Sequence, residues 1–189
     1  MSLQDHPDGR TPRKVVAGHF LSLDGVAEAP HRFLTAWDDE IDASGATLIA
    51  TQDAVILGRR TYDEWAEFWP VSQIEPFASF INAVTKYVAT STPLAREWTN
   101  ARVIEGGLVE SVRHLKSQPG GDIGVHGSIS VTRALLAAGL VDEPRLVIVP
   151  TIFASGRRLF DDLPPIRLET IRSTASPSGH LLVDYRVAG

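Results

Sequence analysis

An α/β fold, built on one mostly parallel sheet flanked by helices with a C-terminal antiparallel hairpin, is predicted by three features of the sequence. Short apolar runs rich in β-branched and aromatic residues alternate with stretches whose apolar residues recur at helical spacing. Most of those runs stop at a glycine-bearing turn. The chain closes with two further strand-like runs around Ser176-Pro177-Ser178-Gly179, a hairpin pattern. Alternation of strand and helix favours parallel pairing, because each parallel connection must cross back over the sheet, and the hairpin adds the antiparallel edge.

The elements follow in order. Residues 15–23 form a continuous apolar run closed by Asp24-Gly25, a buried strand ending in a turn. Over residues 32–50, Leu34, Trp37, Ile41 and Leu48 recur near helical spacing, with Gly45 as the weak point, so a helix is expected there. Residues 54–57 are a second buried strand, stopped by Gly58, and residues 61–69 a short helix with Trp65 and Trp69 one turn apart, ended by Pro70. Residues 86–89 and 102–104 are short strands. Leu108, Val112 and Leu115 mark one face of a helix ended by Pro119-Gly120-Gly121. Residues 123–125 are another strand. Ser128 is placed to cap a helix that buries Val131, Leu135 and Ala138 and stops at Gly139. Residues 146–152 make the strongest strand, and residues 167–187 the hairpin. Residues 1–13 hold Asp5, Pro7, Asp8, Gly9 and Pro12 and no apolar stretch, so they are expected to be a disordered or frayed tail and not a signal peptide. Residues 14–189 are expected to form a single domain, without repeats or linkers.

Composition removes several function classes. The chain has 189 residues, 43% of them hydrophobic and 22% charged, the profile of a soluble globular protein. Eighteen Lys and Arg against 23 Asp and Glu give a net charge of −5, so no basic field is available to hold nucleic acid. The absence of cysteine excludes a disulfide framework, a thiolate zinc site and a Cys nucleophile, and fits a reducing cytoplasm. No apolar run approaches the ~18 residues of a membrane span. The six histidines fall at no ligand spacing and no H-E-x-x-H occurs, so no metal site is expected. Neither a G-x-S-x-G elbow nor a P-loop is present.

Four polar turns remain, each after a predicted strand. They are Gly58-Arg59-Arg60-Thr61, Thr90-Ser91-Thr92, Gly106-Gly107 and His126-Gly127-Ser128-Ile129. In open α/β sheets ligands bind outside the carboxyl ends of strands. Glycines there let the backbone approach a phosphate, and a helix start offers it free N–H groups and partial positive charge. Two arginines beside hydroxyls suit a phosphomonoester such as the 2′-phosphate of NADPH. Taken singly, Gly58-Arg59-Arg60-Thr61 is equally a tight turn with a solvated arginine pair, and Thr90 to Thr92 is more often an ordinary cap or loop. Gly127-Ser128 reads also as a turn and cap, and Trp65 and Trp69 read as core or edge packing. The case rests on all four turns lying at one edge of one sheet.

These motifs resemble a known family. Val55-Ile56-Leu57-Gly58-Arg59-Arg60-Thr61-Tyr62 resembles the I-x-G-R-x-T-[YW]-E strand–turn–helix of the dihydrofolate reductase superfamily. Gly120-Gly121-Asp122-Ile123, His126-Gly127-Ser128, Leu135 and Gly139-Leu140-Val141-Asp142-Glu143 resemble its RibD C-terminal branch, the reductases of riboflavin biosynthesis. So do Ser22-Leu23-Asp24-Gly25 and Gly156-Arg157-Arg158-Leu159-Phe160. The resemblance implies a dihydrofolate reductase-like fold and an NADPH-dependent reductase that passes a hydride to a C=O or C=N carbon of a small heterocycle. A 5-amino-6-(5-phosphoribosylamino)uracil reductase-like activity leads. The alternatives are a dihydrofolate reductase, another small-molecule reductase, and a non-catalytic nucleotide-binding module. By motif, Gly58, Arg59, Arg60 and Thr61 would hold the cofactor phosphates, and Thr90, Ser91 and Thr92 would flank the 2′-phosphate. Gly106, His126, Gly127, Ser128 and Ile129 would complete the phosphate and nicotinamide side, and Ala17 would line the nicotinamide cleft. Dihydrofolate reductases usually carry Gly-Gly where this chain has His126-Gly127.

Asp24 and Asp38 are the candidate catalytic carboxylates, because helical spacing puts Asp38 beside the buried face and Asp39 toward solvent. Arg32, Arg157 and Arg158 are available for a substrate phosphate. A homodimer is expected, paired through the late strands at residues 146–152 and 181–187, where an apolar sheet edge would otherwise be exposed.

Overall fold

The computed structural model describes residues 13–189. Eight strands are formed: β1 (Val15–Ser22), β2 (Gln52–Gly58), β3 (Thr85–Ala89), β4 (Ala101–Val103), β5 (Asp122–His126), β6 (Glu143–Val149), β7 (Leu168–Ala175) and β8 (Leu181–Val187). Five α-helices join them: α1 (Asp39–Ile49), α2 (Arg59–Phe68), α3 (Phe77–Ala83), α4 (Leu108–Ser117) and α5 (Ile129–Ala137). The strands pair in the order β4-β3-β2-β5-β1-β6-β8-β7. The first six run parallel, and β8 and β7 are antiparallel additions. This is the mixed, mostly parallel α/β sheet that the sequence predicts, and the strand ends carrying the four polar turns lie along one edge of it.

Side chains alternate across the sheet. On one face Val15, Ala17, Ala54, Ile56, Ile123 and Val125 pack under α4 and α5. On the other, Val55, Leu57 and Val88 pack under α2 and α3 with Tyr62, Ile81 and Trp98. Toward β8 the second face is covered by α1, where Arg172 of β7 donates to Ser44 Oγ and pairs with Glu40. Between α1 and the α2–α3 layer the face stays open over β1 and β5. There Gly18 stands beside His126 on one side and Arg145 on the other.

Several expectations are corrected. The helix expected over residues 32–50 begins at Asp39; Pro30–Arg32 is a separate 3₁₀ turn. Asp38 is extended and accepts from the amides of Glu40 and Ile41 at 3.1 Å each, which sets the helix start. α3 has no counterpart in the sequence reading, and the strongest strand begins at Glu143, not Leu146. Arg13, assigned with the tail, is buried and bonded to Gly121 O and Asp53; residues 1–12 lie outside the described residues. The sheet edge expected at residues 146–152 and 181–187 is not found there. Both strands are interior, and the edges are β4 and β7.

Candidate functional site

The opening between α1 and the α2–α3 layer is a cavity of about 1110 Å³. Its floor is Gly18 and His126, its aromatic wall is Trp65, Trp69 and Phe77, and its far side carries Arg145 and Asp184. Two helices begin at its rim. α2 starts after Gly58 and α5 after Ser128, and neither start is capped by a side chain. Their first amides are free to meet an anion.

Ser128 departs from its expected role. It does not cap α5. Its Oγ accepts from the Gly58 amide at 2.9 Å and donates to Thr61 Oγ1 at 3.0 Å. The two helix starts are thereby locked side by side, and both keep open N–H groups. Gly127 has φ +62, and a Cβ there would lie 3.3 Å from the Trp65 ring, so the turn needs glycine on both counts.

Eight of the expected cofactor residues border this cavity: Gly58, Arg59, Arg60, Thr61, His126, Gly127, Ser128 and Ile129. The two arginines diverge. Arg59 donates to Asp63 at 2.7 Å and to the Thr92 hydroxyl at 2.6 Å, so Thr90, Ser91 and Thr92 gather beside it just outside the cavity. Arg60 pairs instead with Glu28 at 2.8 Å, a carboxylate shared with Arg157 at 2.9 Å. Hydrogen bonds from Arg157 and the charge of both arginines hold Glu28 below its ordinary pKa.

The remaining candidates lie elsewhere. Ala17 points into the core beneath α5, and its neighbour Gly18 takes the place on the cavity floor. Gly106 shapes the turn into α4, where Glu110 occupies the first turn of the helix. Asp24 does not border the cavity. It accepts from the amides of Phe153 (2.9 Å) and Ala154 (3.0 Å) and from Ser22 Oγ (2.7 Å), and these bonds lower its pKa to about 2. Asp38 likewise does not border the cavity, although its neighbours Trp37 and Ile41 do. Besides capping α1 it accepts from Ser178 N at 2.8 Å and from the Ser178 hydroxyl, which holds its carboxyl well below the usual range. Both carboxylates brace loops. Arg158 reaches Asp24, and Arg32 stacks over Phe153.

Gly18, Glu28, Gln52, Arg145 and Asp184 lie in or beside the site with no local motif to mark them. Arg145 and Asp184 are cross-strand partners on β6 and β8, one step from Gly18 in register. Only the strand order reveals that row.

The fold is dihydrofolate reductase-like. The RibD C-terminal domain family matches residues 13–182, and the chain belongs to that family. It is similar to the uncharacterized protein YyaP of Bacillus subtilis, 26% identical over 94% of this chain and 96% of that one. A pyrimidine reductase-like protein of Corynebacterium diphtheriae superposes with a TM-score of 0.67 at 18% identity, covering 96% of both chains. The dihydrofolate reductase of Enterococcus faecalis, solved with NADP(H), superposes with a TM-score of 0.63 at 16% identity, covering 93% of this chain and 97% of its own.

Proposed function

We propose that this protein is an NADPH-dependent reductase acting on a small heterocycle, with a pyrimidine of the 5-amino-6-(5-phosphoribosylamino)uracil type as the leading substrate class. The observation that carries the reading is the paired, uncapped starts of α2 and α5, tied by Ser128 at the rim of one cavity. A dinucleotide brings a pyrophosphate, and two such starts supply amides and partial positive charge for it. The donor set fits NADPH. Arg59 with Thr90, Ser91 and Thr92 offers a charged fork and hydroxyls for a 2′-phosphate. Membership of the RibD C-terminal family and the likeness to a pyrimidine reductase-like protein support the substrate class.

When bound, NADPH supplies the hydride. The chain supplies position and exclusion. Gly18 and His126 line the floor with Leu48 packed over Gly18, and Trp65, Trp69 and Phe77 wall off water on one side. Arg157, bonded to Glu28 at the mouth, stands where a phosphate on the substrate would enter. Asp24 and Asp38 hold their own loops in place.

The test is direct. Titration with NADPH should give saturable binding, and an aminopyrimidine ribosyl phosphate should make NADPH absorbance fall with protein present. No binding at millimolar NADPH would overturn the cofactor assignment; binding without turnover of any pyrimidine would overturn the substrate class.

A further inference from the structure

The cavity floor carries a histidine whose hydrogen-bonding state is set by its neighbours. A carbonyl only accepts, so the Gln52 atom 2.8 Å from Leu48 O is the amide nitrogen. That turns Gln52 Oε1 toward His126 Nε2, also at 2.8 Å. An amide oxygen only accepts as well, so Nε2 carries the proton. Burial pushes the His126 pKa down to about 4, so near neutral pH the ring is uncharged and Nδ1 holds a bare lone pair.

The ring is wedged in that orientation. Phe77 and Phe80 meet it edge-on, with centroids 5.5 and 6.2 Å away. Gly124 leaves the space for the amide pair: a Cβ there would lie 2.7 Å from His126 Nε2. On the other side Nδ1 faces Gly18, 3.4 Å from where a Cβ would stand; Leu48 packs over Gly18, 2.7 Å from the same point, and all three residues border the cavity. Among the described residues no donor reaches Nδ1. The floor therefore presents one fixed acceptor to whatever enters.

We propose that His126 is a specificity-determining residue, a fixed acceptor that takes an N–H from the nicotinamide carboxamide and turns away a carboxylate in its place. The inference rests on the cofactor reading above. His126 lies one residue inward of Gly127 and the α5 start, where the phosphates would sit. The carboxamide is the N–H donor at that end of NADPH. Gln52 and Gly124 are then positioning residues that keep the acceptor face turned inward.

Two ligands isolate the contact: NADP⁺, and nicotinic acid adenine dinucleotide phosphate, which differs only in carrying a carboxylate for the carboxamide. Wild-type protein should bind NADP⁺ at least about tenfold more tightly, because a carboxylate beside a lone pair loses a bond and gains repulsion. In His126→Phe, which keeps a ring against Phe77 and Phe80, the preference should shrink to about threefold or less. Equal wild-type affinities, or a preference that His126→Phe leaves in place, would overturn the proposal and leave the cofactor reading standing. Binding of neither ligand by wild-type protein would overturn the cofactor reading itself. A measurement on unaltered protein covers a variant that does not fold. Two-bond ¹H–¹⁵N spectra should show His126 protonated at Nε2, with Nδ1 shifting when NADP⁺ is added; protonation at Nδ1, or no shift on binding, overturns the proposal.

Discussion

Arg59 and Thr92 are bonded to each other across the sheet edge, Arg59 Nη1 donating to the Thr92 hydroxyl at 2.6 Å and to Pro93 O at 2.7 Å. The first turn of α2 and the loop after β3 are thereby one polar unit, with its guanidinium only partly exposed.

That unit is where a 2′-phosphate would be read, so Arg59→Ala should lower NADPH affinity about tenfold or more, a charge-assisted bond being worth roughly 1.5–3 kcal/mol. NADH, lacking the phosphate, should lose far less. Arg60 is turned to Glu28, and Arg60→Ala should leave the NADPH to NADH ratio within about threefold. Calorimetric titration of both cofactors measures the ratio; an unaltered ratio in Arg59→Ala would leave that arginine as a loop brace only.

Ser128→Ala should destabilise the fold. It removes the partner of the part-buried Gly58 amide, and a hydrogen bond is worth roughly 0.5–1.5 kcal/mol net. Urea denaturation should show a lower midpoint with unchanged slope. NADPH binding should weaken too, because the α2 and α5 starts lose the tie that holds them in register.

Asp38→Ala separates bracing from chemistry. The variant removes the α1 cap and the bond to Ser178, so its melting temperature should fall. Per folded molecule, cofactor affinity should match wild type. A large loss of turnover with unchanged stability would instead return Asp38 to the active site.

Stability should fall as the solution is acidified from about pH 7 to about pH 4. Burial lowers the His19 pKa to about 3, with His126 nearby adding to the effect, and burial lowers His126 to about 4; the ordinary value is 6.5. Both rings are neutral in the folded protein, and the unfolded chain takes up the protons. Their contribution is therefore complete above about pH 6.5 and is lost as the pH drops toward the folded values. His19→Gln, which can still bond Thr132, should flatten the slope of melting temperature against pH. A slope identical to wild type would remove His19 from the account.

The strands were legible because a sheet covered on both faces writes continuous apolar runs, as in Val55-Ile56-Leu57. The phosphate turns were legible because glycine and hydroxyl residues are local chemistry. α3 was not, since seven residues with Ala78 and Ile81 as the buried pair are too short to establish a period. Asp38 was misread because the apolar positions Leu34 and Trp37 extend the helical pattern upstream of the true start. The floor was invisible for a topological reason. His126, Gly18, Arg145 and Asp184 are one row across four strands, but β1 sits between β5 and β6, and no local pattern announces that order.

The two uncapped helix starts belong to a chain whose net charge is −5. Each start acts as about half a positive charge, felt only over the first turn. Within about a Debye length, about 10 Å at 0.1 M salt, an approaching polyanion meets the net charge of the acidic molecule before it reaches either helix start. Capture is therefore a contact event preceded by an uphill approach, the reverse of long-range steering. Added salt should quicken the arrival of an anionic ligand while loosening its final hold, so the two rate constants would rise together and the occupancy would fall through faster departure.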